Sequence, residues 1–381
     1  MQATLLRKIC FSLAAGGILG LAGMVEAASY HVYVGAYTGP RSKGIHYFKF
    51  NAATGQLSEG ALAAEVTNPT WLVVHPTRQF LYALSEVGGA QGGGITAYAV
   101  EAASGKLTRL NTQFSGGSGP CHLAVDRSGQ CLLVANYGGG SVAALPIQKD
   151  GSLGAAASFI QHQGSSVNPQ RQKGPHAHSV DVDPGNRFVL VCDLGLDKVL
   201  TYRLEPARAS LTPAEPPHVA TAPGAGPRHL AFHPNGRWVY VINELNNTVA
   251  QYEYNPENGA LTALSALPTL PADFTGQNTT AEIAVHPNGK FVYGSNRGHD
   301  SIVVYAVDAA TGRLTLVQHH PSGGKTPRHF ALDPTGRWML SGNQTSGNLV
   351  VLAVNPDTGR LSDTGQNVEV PAVCVQFIPA P

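Results

Sequence analysis

The reactive side chains of this chain fall in a few recurring contexts: Pro227-Arg228-His229 and Pro327-Arg328-His329, Gly174-Pro175-His176-Ala177-His178, Asn243-Glu244 and Asn296-Arg297. Glu86, His122 and Glu282 hold related places. A set of arginines, histidines and carboxylates suits an anionic or polyhydroxylated substrate that gains negative charge on oxygen as it reacts. Opening of a cyclic ester by water is such a reaction. Glu244 or a histidine would take the proton from water, and Arg228 and Arg297 would stabilise the oxyanion on the acyl carbon. Each charged group taken singly reads equally well as an ion pair at a channel mouth; their convergence marks a site.

Other chemistries find less support. No Gly-x-Ser-x-Gly elbow follows a strand and opens a helix, which argues against a serine nucleophile. The histidines and carboxylates lack tight ligand spacing, so neither a metal nor another cofactor is expected. Gly92-Gly93-Gly94 and Gly138-Gly139-Gly140 have no lysine or strand-to-helix context and read as bends, not phosphate loops. Cys121, Cys131, Cys192 and Cys374 form no Cys-x-x-Cys pair, and Cys192 and Cys374 sit in apolar strand patterns as small buried hydrophobes. With 25 basic and 24 acidic residues there is no basic field to hold a phosphate backbone, so nucleic acid is not an expected partner.

The elements that must position these groups are read from an internal repeat. A unit of the form Pro-x-x-apolar-x-apolar-His/Asp-Pro-x-Gly-Arg/Lys-aromatic-apolar-x-apolar-x-Asn begins at Pro69, Pro120, Pro175, Pro227, Thr280 and Pro327. The copies lie roughly 50 residues apart, the size of a four-stranded propeller blade. Residues 30–38, 44–50 and 57 onward supply the last three strands of a further unit, and 371–377 supply its missing first strand. Joined, they make a seventh blade that closes the ring and leaves no open edge. The expected fold is an all-β, seven-bladed β-propeller.

In such a blade the first strand crosses the disk beside the channel and the second returns, so the start of the first and the end of the second meet on one face. That face carries Thr70/Trp71, Cys121/His122, 176–179, Arg228/His229, Ala281/Glu282 and Arg328/His329 at strand starts. Strand ends place Ser85/Glu86, Asn136/Tyr137, Asp193/Leu194, Asn243/Glu244, Asn296/Arg297 and Asn343/Gln344 beside them. The expected substrate-binding groups are His229, Asn243, Asn296, Arg328, His329, Glu86, His122 and Glu282, although the repeated Asn or Asp also reads as a turn cap. His75, His233 and His286 belong to the repeated turn and read as structural. A polar loop over residues 161–173, with Arg171 and Lys173, is expected to cover the same face.

Residues 1–27 read as a signal peptide: Arg7 and Lys8, an apolar run over 9–24, then Val25-Glu26-Ala27 with cleavage after Ala27. The mature domain, 28–381, is then periplasmic or secreted, without stable membrane association once the leader is gone.

The segments HPNGRWVYVINELNNTVAQYEYNPENGALT, NPQRQKGPHAHSVDVDPGNRFVLVCDLG and AEIAVHPNGKFVYGSNRGHDSIVVY, followed by TPRHFALDPTGRWML, resemble the lactonase family of seven-bladed propellers. That family includes 6-phosphogluconolactonases and carboxymuconate-lactonising enzymes. The resemblance spans essentially the whole mature chain. It implies a small-molecule sugar lactone as substrate, and catalytic roles for His176 or His178, Arg228, Glu244 and Arg297. The leader departs from the cytosolic members, since phosphorylated sugar acids belong to the cytosol; an unphosphorylated aldonolactone, glucono-1,5-lactone first, is the expected substrate. A 6-phosphogluconolactonase, a muconate-type cycloisomerase and a non-catalytic binding platform are the competing expectations.

Overall fold

Short runs of alternating, β-branched and aromatic residues bounded by Pro, Gly, Asn and Asp favour strands joined by tight turns. The computed structural model describes residues 29–89 and 92–381, and their regular structure is almost entirely strand. The leader expected over residues 1–27 lies outside the described residues. Among those described, the strands form seven antiparallel sheets: six of four strands, and one in which the outermost position is divided between two short strands. This is the expected seven-bladed propeller.

Closure occurs at the expected joint. Ala372–Pro379 pairs antiparallel with Ser29–Ala36, from Tyr30 opposite Pro379 to Ala36 opposite Ala372. The last strand of the chain thereby becomes the innermost strand of the blade begun by the first described residues.

The core lies between blades. Trp238–Asn243 is buried along its whole length, and its side chains alternate between two neighbours. Val239 and Val241 pack with Leu190 and Cys192 of the preceding blade, whereas Trp238, Tyr240 and Ile242 pack with Ile283 and Val292 of the following one. Both faces of the strand are apolar because both meet another sheet.

The repeated turns also tie blade to blade. Gly236, Gly289 and Gly336 adopt φ of 69°, 74° and 71°, which only glycine takes without steric cost. Where a histidine opens the turn it reaches across to the next blade: Nε2 of His75, His233 and His286 lies 2.9, 2.8 and 2.9 Å from the carbonyl oxygens of Gly129, Gly289 and Gly336. Since a carbonyl only accepts, each imidazole donates from Nε2. These are structural histidines, serving as staples between successive blades. Cys131, Cys192 and Cys374 are buried free thiols.

Candidate active site

An irregularity repeated at the start of the inner strands aims side chains into the channel. Ala177 pairs with Asp193 and Ser179 with Cys192, leaving His178 without an opposite residue. In the same way Arg228 is passed over between Pro227 and His229, Arg328 between Pro327 and His329, and Cys121 between Pro120 and His122. An extra residue on one strand bends it and re-aims the side chain it carries. The residues at or just beyond the ends of the second strands, including Glu86, Tyr137, Glu244 and Arg297, arrive at the same level.

These positions surround a cavity of about 350 Å³ lined by Tyr37, Glu86, Cys121, Tyr137, Arg171, His178, Glu244, Thr279, Arg297 and Arg328. At its centre is the buried carboxylate of Glu244. Oε1 accepts from Nη2 of Arg171 at 2.7 Å; Oε2 accepts from Nε of Arg228 at 3.1 Å and lies 3.0 Å from Nη2 of Arg297. Burial pushes the Glu244 carboxyl up, but Arg297, Arg228 and Arg171 outweigh it and hold the pKa at about 2. Glu244 is therefore an anion at neutral pH with its oxygens committed.

Arg228 does not line the cavity; it supports Glu244 from beneath. Burial and the neighbouring Arg297 and Arg328 lower its pKa to about 10, which leaves it charged at neutral pH. Arg297 faces the cavity, donates from Nη2 to the carbonyl of Thr280 at 2.8 Å, and keeps a buried Nε without a partner among the described residues. Arg328 differs from all of these. Its side chain makes no hydrogen bond or close ion pair among the described residues; its Cζ rests 5.5 Å from the centroid of the Tyr37 ring, and the charges of Glu86 and Glu244 act on it from further off. Tyr37 and Thr70 donate to Oε2 of Glu86 at 2.8 and 2.5 Å, which leaves Oε1 of Glu86 for a ligand.

The two candidate histidines separate. His178 lines the cavity, with Nδ1 3.9 Å from Sγ of Cys121 and its ring edge-on to Tyr137. Burial, then the charge of Arg228, pushes its pKa well below the usual value, so it is neutral at pH 7. His176 stacks on the far side of Tyr137 at 4.6 Å and donates from Nδ1 to the Tyr137 carbonyl.

Other expected groups lie elsewhere. His122, His229, His329 and Glu282 sit one step further along the inner strands, around a second cavity of about 410 Å³ that also meets Trp71 and Asp181 and runs toward the opposite end of the channel. Asn243 and Asn296 do not line the first cavity. Their amides donate to Thr248 Oγ1 at 2.9 Å and to the Thr269 carbonyl at 2.9 Å, fastening strand ends to neighbouring turns.

Arg171 comes from the loop expected to cover this face. Asp197 pins that loop, accepting from Nε2 of Gln172 and the backbone N–H groups of Gly224 and Gly226, each at 2.7 Å. Cys121 and Tyr137, on the expected face, and Arg171, in the expected covering loop, line the site although no binding role was expected of them; Tyr37 and Thr279 join it beyond the residues named from sequence. Tyr37 follows Ser29–Ala36, the second strand of the split blade, so the strand-end rule applied there identifies it.

Residues 31–377 match the family described as lactonase, 7-bladed beta-propeller. The chain belongs to the seven-bladed β-propeller lactonase family. It is 40% identical to a 6-phosphogluconolactonase of Bacillus subtilis over 78% of its own length and 83% of that protein. Among solved structures it is similar to the periplasmic gluconolactonase of Pseudomonas aeruginosa, with 36% identity and a TM-score of 0.88 over 93% of this chain and 100% of that one. A 6-phosphogluconolactonase of Formosa agariphila is 32% identical over 78% of this chain and 84% of its own length. This lactonase is a hydrolase, and its cavity brings together a neutral imidazole, an arginine-bound carboxylate and an uncommitted guanidinium.

Proposed function

We propose that this lactonase hydrolyses an unphosphorylated sugar lactone, glucono-1,5-lactone first, outside the cytoplasm. The observation that carries the reading is the charge at the cavity: Arg171 and Arg297 are engaged by Glu244, and Arg328 alone has no hydrogen-bonded partner among the described residues. One uncommitted cation suits a substrate that is neutral when it binds and gains a single negative charge as it reacts. A phosphate ester would bring close to two further charges at neutral pH. The leader pattern of residues 1–27 and the likeness to a periplasmic gluconolactonase support the same location.

In the reaction, water attacks the lactone carbonyl carbon and His178 accepts its proton. The electron pair moves to the carbonyl oxygen, where Arg328, the uncommitted guanidinium, stabilises the oxyanion and Arg297, held in place by Glu244, adds its charge alongside. Collapse re-forms the carbonyl and breaks the ring carbon–oxygen bond, and the imidazolium returns its proton to the departing alkoxide. The open acid then loses a proton to solvent. Glu244 serves as the anion that gathers the arginines, since both of its oxygens are engaged by Arg171, Arg228 and Arg297 and neither is left to take a proton. Glu86 accepts a hydrogen bond from a sugar hydroxyl.

The test is to follow opening of glucono-1,5-lactone and of its 6-phosphate by the purified protein. Acceleration of the unphosphorylated lactone, with the larger kcat/KM, is expected. Gluconolactone opening at its spontaneous rate while the 6-phospho compound is accelerated would overturn the proposal and establish the second reading, 6-phosphogluconolactonase, which the likeness to the Bacillus protein favours.

A further inference from the structure

Nη1 of Arg228 lies 3.2 Å from Nε2 of His229 and donates to the carbonyl of Ala281 at 2.7 Å. A guanidinium has only donors, so Nε2 of His229 must present its lone pair and the imidazole proton must sit on Nδ1. That nitrogen lies 3.2 and 3.1 Å from the two carboxylate oxygens of Glu282, which only accept when ionised. Every bond in the chain therefore runs in a consistent direction. His229 donates to Glu282, Arg228 donates to His229, and Arg228 Nε donates to Glu244.

We infer that Glu282 and His229 form a positioning pair for the lactone-opening site. Glu282 fixes the tautomer and ring orientation of His229, and His229 fixes the rotation of the Arg228 guanidinium under Glu244. The surroundings hold the imidazole in place: Trp71 meets its ring edge-on at 5.3 Å, and Nε2 of His329 approaches Glu282 at 3.6 Å. With Nε and Nη1 committed, Nη2 is the one nitrogen of Arg228 without a protein acceptor among the described residues. Neither His229 nor Glu282 lines the first cavity, so both act through neighbours and not on the substrate: through Arg228, and through His178, whose ring meets that of His229 edge-on at 5.1 Å. Without an acceptor at Glu282, His229 is free to carry its proton on Nε2, which turns an N–H toward an N–H of Arg228. The guanidinium must then rotate, and Glu244 loses a fixed partner. Carboxylates that accept from a metal-ligating histidine fix its tautomer in the same way, and removing them there costs roughly 10- to 100-fold.

The inference rests on the hydrolytic reading of the site, and its test separates the two. In protein labelled with ¹⁵N-histidine, the His229 signals are assigned by their loss in His229→Gln, and a protonated Nδ1 with an unprotonated Nε2 is expected at neutral pH. Glu282→Gln, whose amide oxygen still accepts, is expected to keep that tautomer and most of kcat. Glu282→Leu is expected to lose it and to lower kcat roughly 10- to 100-fold with little change in KM. An Nε2-protonated His229 in the wild type, or a Leu variant with wild-type kcat, overturns the inference. If Glu282→Leu does not fold, the wild-type tautomer and the Gln variant decide. If the protein opens no lactone, the tautomer is still read and the failure falls on the functional proposal alone.

Discussion

Nε of Arg228 lies 3.1 Å from Oε2 of Glu244, and both side chains are buried. Removing one partner of a buried pair leaves an uncompensated charge, at a cost of about 3–5 kcal/mol. In Glu244→Gln three arginines lose their shared anion. The variant is expected to unfold at lower denaturant and to lose about two orders of magnitude or more in kcat/KM for the lactone. Equilibrium unfolding and steady-state kinetics check the two effects. Wild-type kcat/KM in a folded variant would remove Glu244 from the site.

His178 and His176 give opposite expectations. His178 faces the cavity as a neutral imidazole, whereas the ring of His176 is spent on Tyr137. His178→Ala is expected to lower kcat by about 10²–10⁴, the usual contribution of general-base catalysis. His176→Ala is expected to retain activity within about tenfold, through a slight shift of Tyr137. A larger loss in His176→Ala than in His178→Ala would reverse the assignment of the base.

Counting along the repeat explains both the success and the ambiguity of the sequence reading. Arg228 and Arg328 each lie six residues before the turn prolines Pro234 and Pro334. The same count from Pro184 lands on His178, while His176 lies eight before it. Counting from Pro175 instead of back from the turn left the two histidines equivalent. The blades and their closure were legible because turn chemistry and strand alternation repeat. Glu244, Arg297 and Arg328 were legible because they break that repeat at equivalent places. The face that Arg171 would cover was legible from its polar loop, but its pairing with Glu244 was not, because that loop is set by the hydrogen bonds of Asp197 and Gln172 and not by the repeat. The depth of His229 and Glu282 was hidden for another reason: adjacent residues at a bulge point to different levels of the channel, which a linear pattern does not resolve.

Glu244 makes a traceable contribution to the stability of the fold in acid. Its folded pKa of about 2 lies below the ordinary value of 4.5, so the folded state favours the ionised form. That stabilisation is complete above about pH 4.5 and disappears as pH falls toward 2. The wild type is expected to exceed Glu244→Gln in stability by a margin that is constant near neutrality and shrinks through this window. Thermal unfolding of both proteins from pH 7 to pH 2 checks it; a margin that widens in acid would contradict the arginine-bound carboxylate.

Asp181 is shifted the other way. It faces the second cavity, its buried Oδ2 has no hydrogen-bond partner among the described residues, and burial, aided by repulsion from Glu282 and only partly offset by Ser179, raises its pKa from 3.8 to about 8. In the folded protein it is neutral at pH 7, whereas the unfolded chain ionises it. Stability therefore falls as pH rises from about 4 to about 8 and levels off above that. Asp181→Asn keeps the shape and removes the titration. The variant is expected to gain in Tm over the wild type at pH 8, to show little difference at pH 4, and to keep lactonase activity because Asp181 lies outside the first cavity. A gain at pH 4 equal to that at pH 8 would mean that packing, and not ionisation, governs this position.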